Sequence, residues 1–296
     1  MKDPIFTGSA VALITPFTET GVDYSRLEEL IEFHIKNNTD ALVVCATTGE
    51  APTLPDEEHE EILRFVVDKT AKRIPVIAGT GSNYTAHAVA MSRFAEKIGA
   101  DGVLIVAPYY NKTTQKGLCA HIKTIAESIN IPIILYNIPG RTGGLSFSID
   151  TLKEISKIPN VNGIKEATGD LAFAAKVAAE TDLVLYSGND DVIVPIMSLG
   201  GKGVISVAAN IIPQEIHDIC AKYMEGNTTE SKEIFLKYLK LLNTLFIEVN
   251  PIPVKTAMGL MGMDSGILRQ PLFEMEDKNL ETLKSVLKEY DLLKQQ

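Results

Sequence analysis

The chain has 296 residues, 45% of them hydrophobic and 22% charged, which suits one large α/β barrel or two ordinary domains and argues against disorder. A formal net charge of −10 without basic runs argues against nucleic acid and anionic membranes as partners, and no stretch of about 18 uninterrupted apolar residues occurs. Met1-Lys2-Asp3-Pro4 opens no signal-peptide core, and the three scattered cysteines, Cys45, Cys119 and Cys220, suit neither a disulfide framework nor a zinc site, so a reduced cytoplasmic setting is expected.

Residues 8–15 read as a buried strand closed by Pro16. Residues 23–37 have helical spacing, with Leu27, Leu30, Ile31 and Ile35 on one side. A second strand over 41–45 precedes a helix over 56–70. A third over 74–78 precedes a helix over about 84–98. A fourth over 102–106 leads to a helix ending near Ile129, and a fifth over 131–136 to a helix from about Ser148. The sixth covers 161–165, the seventh 183–186 and the eighth 203–207. Continuous apolar runs suit parallel strands covered on both faces, and eight of them suit a (β/α)8 TIM barrel, an α/β fold. The first strand is not followed by G-x-G-x-x-G, which argues against a dinucleotide site.

After Pro213 the strand pattern stops. A helix over 216–224 closes the barrel, and helical spacing recurs over 230–249, 253–261 and 277–294. The expected organisation is a catalytic barrel over residues 1–225 and a small C-terminal helical appendage over 226–296. Packing, oligomerisation and shaping of the barrel mouth are all open roles for that appendage.

Active sites of this fold lie at the C-terminal strand ends. Those ends carry Thr47-Thr48-Gly49-Glu50, Gly79-Thr80-Gly81, Pro108-Tyr109-Tyr110-Asn111, Tyr136 through Gly143, Lys165-Glu166-Ala167-Thr168 and Ser187-Gly188-Asn189-Asp190. A His cluster and a hydrolase triad are absent from this rim, and His34, His59, His87, His121 and His217 fall in predicted helices, away from strand ends. Lys165 ends an apolar strand. Either it pairs with a carboxylate such as Glu166, or its amine attacks a carbonyl to form a Schiff base. Tyrosine and threonine hydroxyls at neighbouring strand ends suit the proton transfers of that chemistry. Arg141 offers a fork for a carboxylate, unless it only pairs with Glu166 or Asp190. Thr47 and Thr48 offer hydroxyls and N–H groups, unless they only cap a turn. Tyr109 and Tyr110, taken alone, suit packing.

These motifs in this order (Thr47 to Glu50, Ala78 to Gly81, Pro108 to Asn111, Tyr136 to Pro139 and Gly163 to Thr168) resemble the dihydrodipicolinate synthase/N-acetylneuraminate lyase family of pyruvate-dependent class I aldolases. The likeness runs from Gly8 to the segment Asn250-Pro251-Ile252-Pro253-Val254-Lys255. It implies that Lys165 forms the Schiff base with pyruvate, and that Tyr136, Thr47 and Tyr110 form a proton relay. It implies that Thr48 binds the pyruvate carboxylate, that Gly188 and Ile205 present backbone oxygens, and that no metal or organic cofactor takes part. Tyr110 would come from a neighbouring subunit, which implies a homotetramer or at least a dimer.

Arg141 points to the synthase branch, with L-aspartate 4-semialdehyde as second substrate and 4-hydroxy-tetrahydrodipicolinate as product. The alternatives are another pyruvate aldolase acting on N-acetylneuraminate or a 2-keto-3-deoxy sugar acid, and a non-catalytic keto-acid sensor. His59, Asn83 and Tyr109 match positions of the family's lysine-binding allosteric site. Asp56 and His87 depart from it, so weak or no lysine inhibition is expected.

Overall fold

In the computed structural model, which describes residues 2–293, eight parallel strands close into a barrel. In chain order they are β1 (Gly8–Ala12), β2 (Ala41–Val44), β3 (Val76–Gly79), β4 (Gly102–Val106), β5 (Ile133–Asn137), β6 (Val161–Glu166), β7 (Val184–Ser187) and β8 (Gly203–Ser206). Each pairs with its sequence neighbours, and β8 closes on β1. Alternate residues line the interior: Ala10, Val43, Ile77, Leu104, Ile134 and Ile205 belong to one buried cluster. Their neighbours Val11, Leu42, Val44, Val76, Ile105 and Leu135 join a second cluster with the surrounding helices. Both faces are therefore apolar, which explains the unbroken hydrophobic runs. Phe6 and Tyr186 stack at 4.4 Å in the interior cluster, and Tyr186 donates its hydroxyl to the Phe6 carbonyl at 2.9 Å.

The helices are α1 (Tyr24–Lys36), α2 (Asp56–Thr70), α3 (Thr85–Lys97), α4 (Gln115–Ala126), α5 (Ile149–Ile155), α6 (Leu171–Glu180), α7 (Ile193–Ser198), α8 (Pro213–Met224), α9 (Thr228–Thr244), α10 (Ile252–Leu260) and α11 (Asp277–Glu289). Several predicted ends are caps. Asp23 accepts from Arg26 N, and Ser148 from Thr151 N, each satisfying an orphan donor of the first turn. No helix was predicted at α6 or α7. In α6 only Ala174 and Val177 are buried, so the apolar stripe is narrow. The predicted helix over 230–249 stops at Thr244, because the chain turns there toward Pro251 and α10. Of the predicted helix over 277–294, Lys294 lies outside the described residues.

Helices α8 and α9 pack together, and α11 packs on α9 and α10. Among the described residues no helix is long and apolar enough to cross a membrane.

Candidate active site

Strand alternation turns Lys165 into the barrel and Glu166 out of it. Lys165 pairs in register with Tyr136, is 4% exposed, and places Nζ 4.4 Å from the Tyr136 ring centroid. Among the described residues it makes no ion pair. The salt-bridge reading fails because Glu166 is committed elsewhere: it accepts from Asn137 Nδ2 at 2.8 Å and from Thr168 N at 2.7 Å. Asp190 is buried too and accepts from Val207 N at 3.0 Å and Ala208 N at 2.9 Å. Burial pushes its carboxyl up, opposed by those donors and by the charge of Lys165.

The loop after β2 is held from the C-terminal helices. Cys45 and Glu50 adopt left-handed φ values of 54° and 55°, so the loop turns sharply at both ends. Thr48 is buried, and its Oγ1 accepts from Asn250 Nδ2 at 3.0 Å, which leaves the hydroxyl proton free for an anion. Glu50 meets Lys255 Nζ at 2.7 Å with both side chains fully buried. Lys255 also donates to Thr15 O at 2.9 Å, and Arg269 N donates to the other Glu50 oxygen at 3.0 Å. Burial pushes the Lys255 ammonium down, and Glu50 opposes that shift. The Arg269 guanidinium in turn forks onto Glu58.

Arg141 pairs with neither Glu166 nor Asp190. It is exposed, and its Nη2 donates to the Asn250 carbonyl at 2.8 Å. It borders a cavity of about 500 Å³ together with Thr47, Gly79, Leu104, Val106 and Tyr136. Ile205 is fully buried in the same interior cluster as Tyr136. Gly188 lies where strands crowd: a Cβ there would come within 2.6 Å of Ala167 Cβ and 2.8 Å of Glu166 O.

Tyr110 stands apart. It is 91% exposed, has a φ of 66°, and borders no part of the cavity. Within the chain no hydrogen bond joins Thr47, Tyr136 and Tyr110, so one copy brings together Lys165, Tyr136 and Thr47 but not the third hydroxyl.

The same cavity extends past His59, Tyr109, Asp56 and His87. Contrary to the placement of every histidine away from strand ends, His59 donates Nε2–H to Gly79 O at 3.0 Å, at the end of β3. Helix α2 packs against β3 and carries the ring inward. Burial pushes its pKa down to about 4, so the ring is neutral at pH 7. His87 Nε2 lies 2.9 Å from Asp56 Oδ1. The side chain of Asn83 is not part of the cavity wall; its carbonyl accepts from Asn111 Nδ2 at 2.9 Å. Sequence reasoning assigned no role to Asn250, Lys255 or Asn137. The one available signal was Asn250 through Lys255, a polar pair closing an otherwise apolar segment.

Residues 5–290 match the Dihydrodipicolinate synthetase family. A 4-hydroxy-tetrahydrodipicolinate synthase from Acetivibrio thermocellus is 55% identical over 293 residues, covering 99% of this chain and 100% of that protein. The crystal structure of dihydrodipicolinate synthase from Aquifex aeolicus superposes with a TM-score of 0.96 at 48% identity, covering 98% of this chain and 100% of that one. A chloride-inhibited dihydrodipicolinate synthase from Acinetobacter baumannii, complexed with pyruvate, superposes with a TM-score of 0.93 at 43% identity over 97% of this chain and 99% of that one. Matched in sequence and in fold along nearly its whole length, the chain belongs to the dihydrodipicolinate synthetase family.

Proposed function

We propose that the chain condenses pyruvate with L-aspartate 4-semialdehyde through a Schiff base, giving 4-hydroxy-tetrahydrodipicolinate for diaminopimelate and lysine biosynthesis. The observation that carries this is Lys165: a buried amine without a carboxylate partner, at the inner end of β6 and 4.4 Å from the Tyr136 ring. A buried amine held free of ion pairs is suited to attack a carbonyl carbon.

Lys165 Nζ adds to the keto carbon of pyruvate, and loss of water gives the imine. Tyr136 and Thr47 move the protons of that step and of the tautomerisation to the enamine. Thr48 binds the pyruvate carboxylate, and Gly188 and Ile205 present backbone oxygens near the site. The enamine carbon attacks the aldehyde, Arg141 holding the carboxylate of that second substrate. The substrate amine then attacks the imine carbon, closes the ring and releases Lys165. No metal or organic cofactor enters these steps.

Tyr110 completes the relay in a neighbouring copy. Its exposure of 91% and its left-handed φ of 66° support this, since a strained backbone that aims an aromatic ring at solvent has no use in one copy. The assembly is a homotetramer, working in the cytoplasm. His59, Asn83 and Tyr109 form an effector site of weak response.

Borohydride added with pyruvate should leave a mass adduct on Lys165; no adduct overturns the Schiff-base step. Arg141→Ala should keep that adduct and lose turnover of the semialdehyde. Unchanged turnover would refute the second-substrate assignment.

A further inference from the structure

On the outer face of β5 and β6 lies a polar arrangement that the proposed chemistry does not use. Tyr136 with Lys165 and Asn137 with Glu166 are successive pairs of one ladder. Alternation sends the first pair into the barrel and the second outward. Asn137 is fully buried and Glu166 is 3% exposed, and the two bond directly, Asn137 Nδ2 to Glu166 Oε2, at 2.8 Å.

Each partner continues into a loop of the mouth. Glu166 Oε1 accepts from Thr168 N at 2.7 Å, which folds back the segment after β6. Asn137 Oδ1 accepts from Ser146 Oγ at 2.9 Å and Phe147 N at 3.2 Å. Those two bonds close the loop over 138–146, which carries Arg141. Backbone bonds extend the same brace: Ala167 N to Asn137 O at 3.0 Å, and Gly188 N to Glu166 O at 2.7 Å.

A buried carboxylate is costly unless its oxygens are satisfied, and here each oxygen accepts a bond. We propose that Asn137 and Glu166 are the positioning pair of the active site: from outside the barrel they fix the direction of Lys165 and Tyr136 inside it and the closure of the Arg141 loop. This rests on the roles of Lys165 and Arg141 proposed above.

The pair allows a test by exchange. Glu166→Gln alone sets an amide donor against Asn137 Nδ2 or Thr168 N, both donors. Asn137→Asp alone sets two carboxylates face to face. Together the two substitutions restore every bond with the direction of the central one reversed.

Each single variant should lose about tenfold or more in kcat/KM for the semialdehyde and trap pyruvate more slowly, and the double variant should recover to within about threefold of the unsubstituted enzyme. Singles that lose thermal midpoint but keep kcat/KM per trapped site would show a merely structural pair and overturn the proposal. So would a double variant no better than the singles. If Glu166→Gln does not fold, Ser146→Ala removes one bond of the same brace. It should raise KM for the semialdehyde and leave pyruvate trapping unchanged; an unchanged KM overturns the proposal. Failure of the unsubstituted enzyme to trap pyruvate would refute the underlying reading instead.

Discussion

Asn250 joins the two groups proposed to hold the two substrate carboxylates. Its side-chain amide donates to Thr48 Oγ1 at 3.0 Å, and its carbonyl accepts from Arg141 Nη2 at 2.8 Å. The residue belongs to neither loop. It enters the mouth from the segment just before α10, so the C-terminal region lines the cavity directly.

That arrangement orders two variants against the unsubstituted protein. Asn250→Ala removes a buried hydrogen bond worth about 1 kcal/mol and should raise the pyruvate KM roughly fivefold. Asn250→Asp should be worse, because a carboxylate would draw the Thr48 proton and repel the pyruvate anion. Steady-state KM values that are equal in all three proteins would remove Asn250 from the substrate site.

Lys255 and Glu50 are fully buried partners at 2.7 Å. Lys255→Met leaves Glu50 buried with only the Arg269 N–H, and breaking such a pair costs about 3–5 kcal/mol. Adding Glu50→Gln removes the stranded charge and should restore most of that loss. Urea unfolding of the three proteins measures it; a single-variant loss well under about 1 kcal/mol would contradict the geometry.

His34 is fully buried, and burial pushes its pKa down to about 3. Its Nδ1 sits 3.1 Å from Thr39 Oγ1, while Nε2 has no partner. In the unfolded chain the ring titrates near 6.5. Below about pH 6.5 the unfolded state therefore binds a proton that the folded state refuses. The contribution of His34 is complete above that pH and declines as pH drops toward 3, by up to about 1.4 kcal/mol per pH unit. His34→Gln should flatten the fall of the urea midpoint between about pH 6.5 and 5. Parallel curves for both proteins would mean that His34 takes up its proton without unfolding.

Free lysine should inhibit weakly or not at all. His87 already engages Asp56 at 2.9 Å in the cavity wall, so an ammonium entering there meets an occupied carboxylate and no acidic residue in the first turn of α3. Initial rates against added lysine measure this, and half-maximal inhibition below about 1 mM, a Kd-scale affinity of roughly −4 kcal/mol or tighter, would refute it.

The barrel was legible because each parallel strand is buried on both faces and so reads as an apolar run bounded by polar loop residues. The placement of Lys165 followed from the same rule, since a charge at the end of such a run must sit at the mouth. Ala174 and Val177 on α6 offered too narrow a stripe to announce a helix. Asn250 and Asn137 escaped notice, and Glu166 was weighed only as an ion-pair partner, for another reason. Their partners are Thr48, Ser146 and Thr168, fixed by the closing of the barrel rather than by spacing along the chain. His59 was misplaced because helical periodicity does not reveal that α2 aims it at the end of β3.

Glu50 also bears on how the protein comes into being. Its two partners, Lys255 and Arg269, leave the ribosome more than 200 residues after it. A nascent barrel therefore carries a stranded carboxylate beneath its mouth until Lys255 and Arg269 emerge, and the loop bearing Thr47 and Thr48 gains that support only then. That support arrives only with Lys255 and Arg269, well after all eight strands are available to pair.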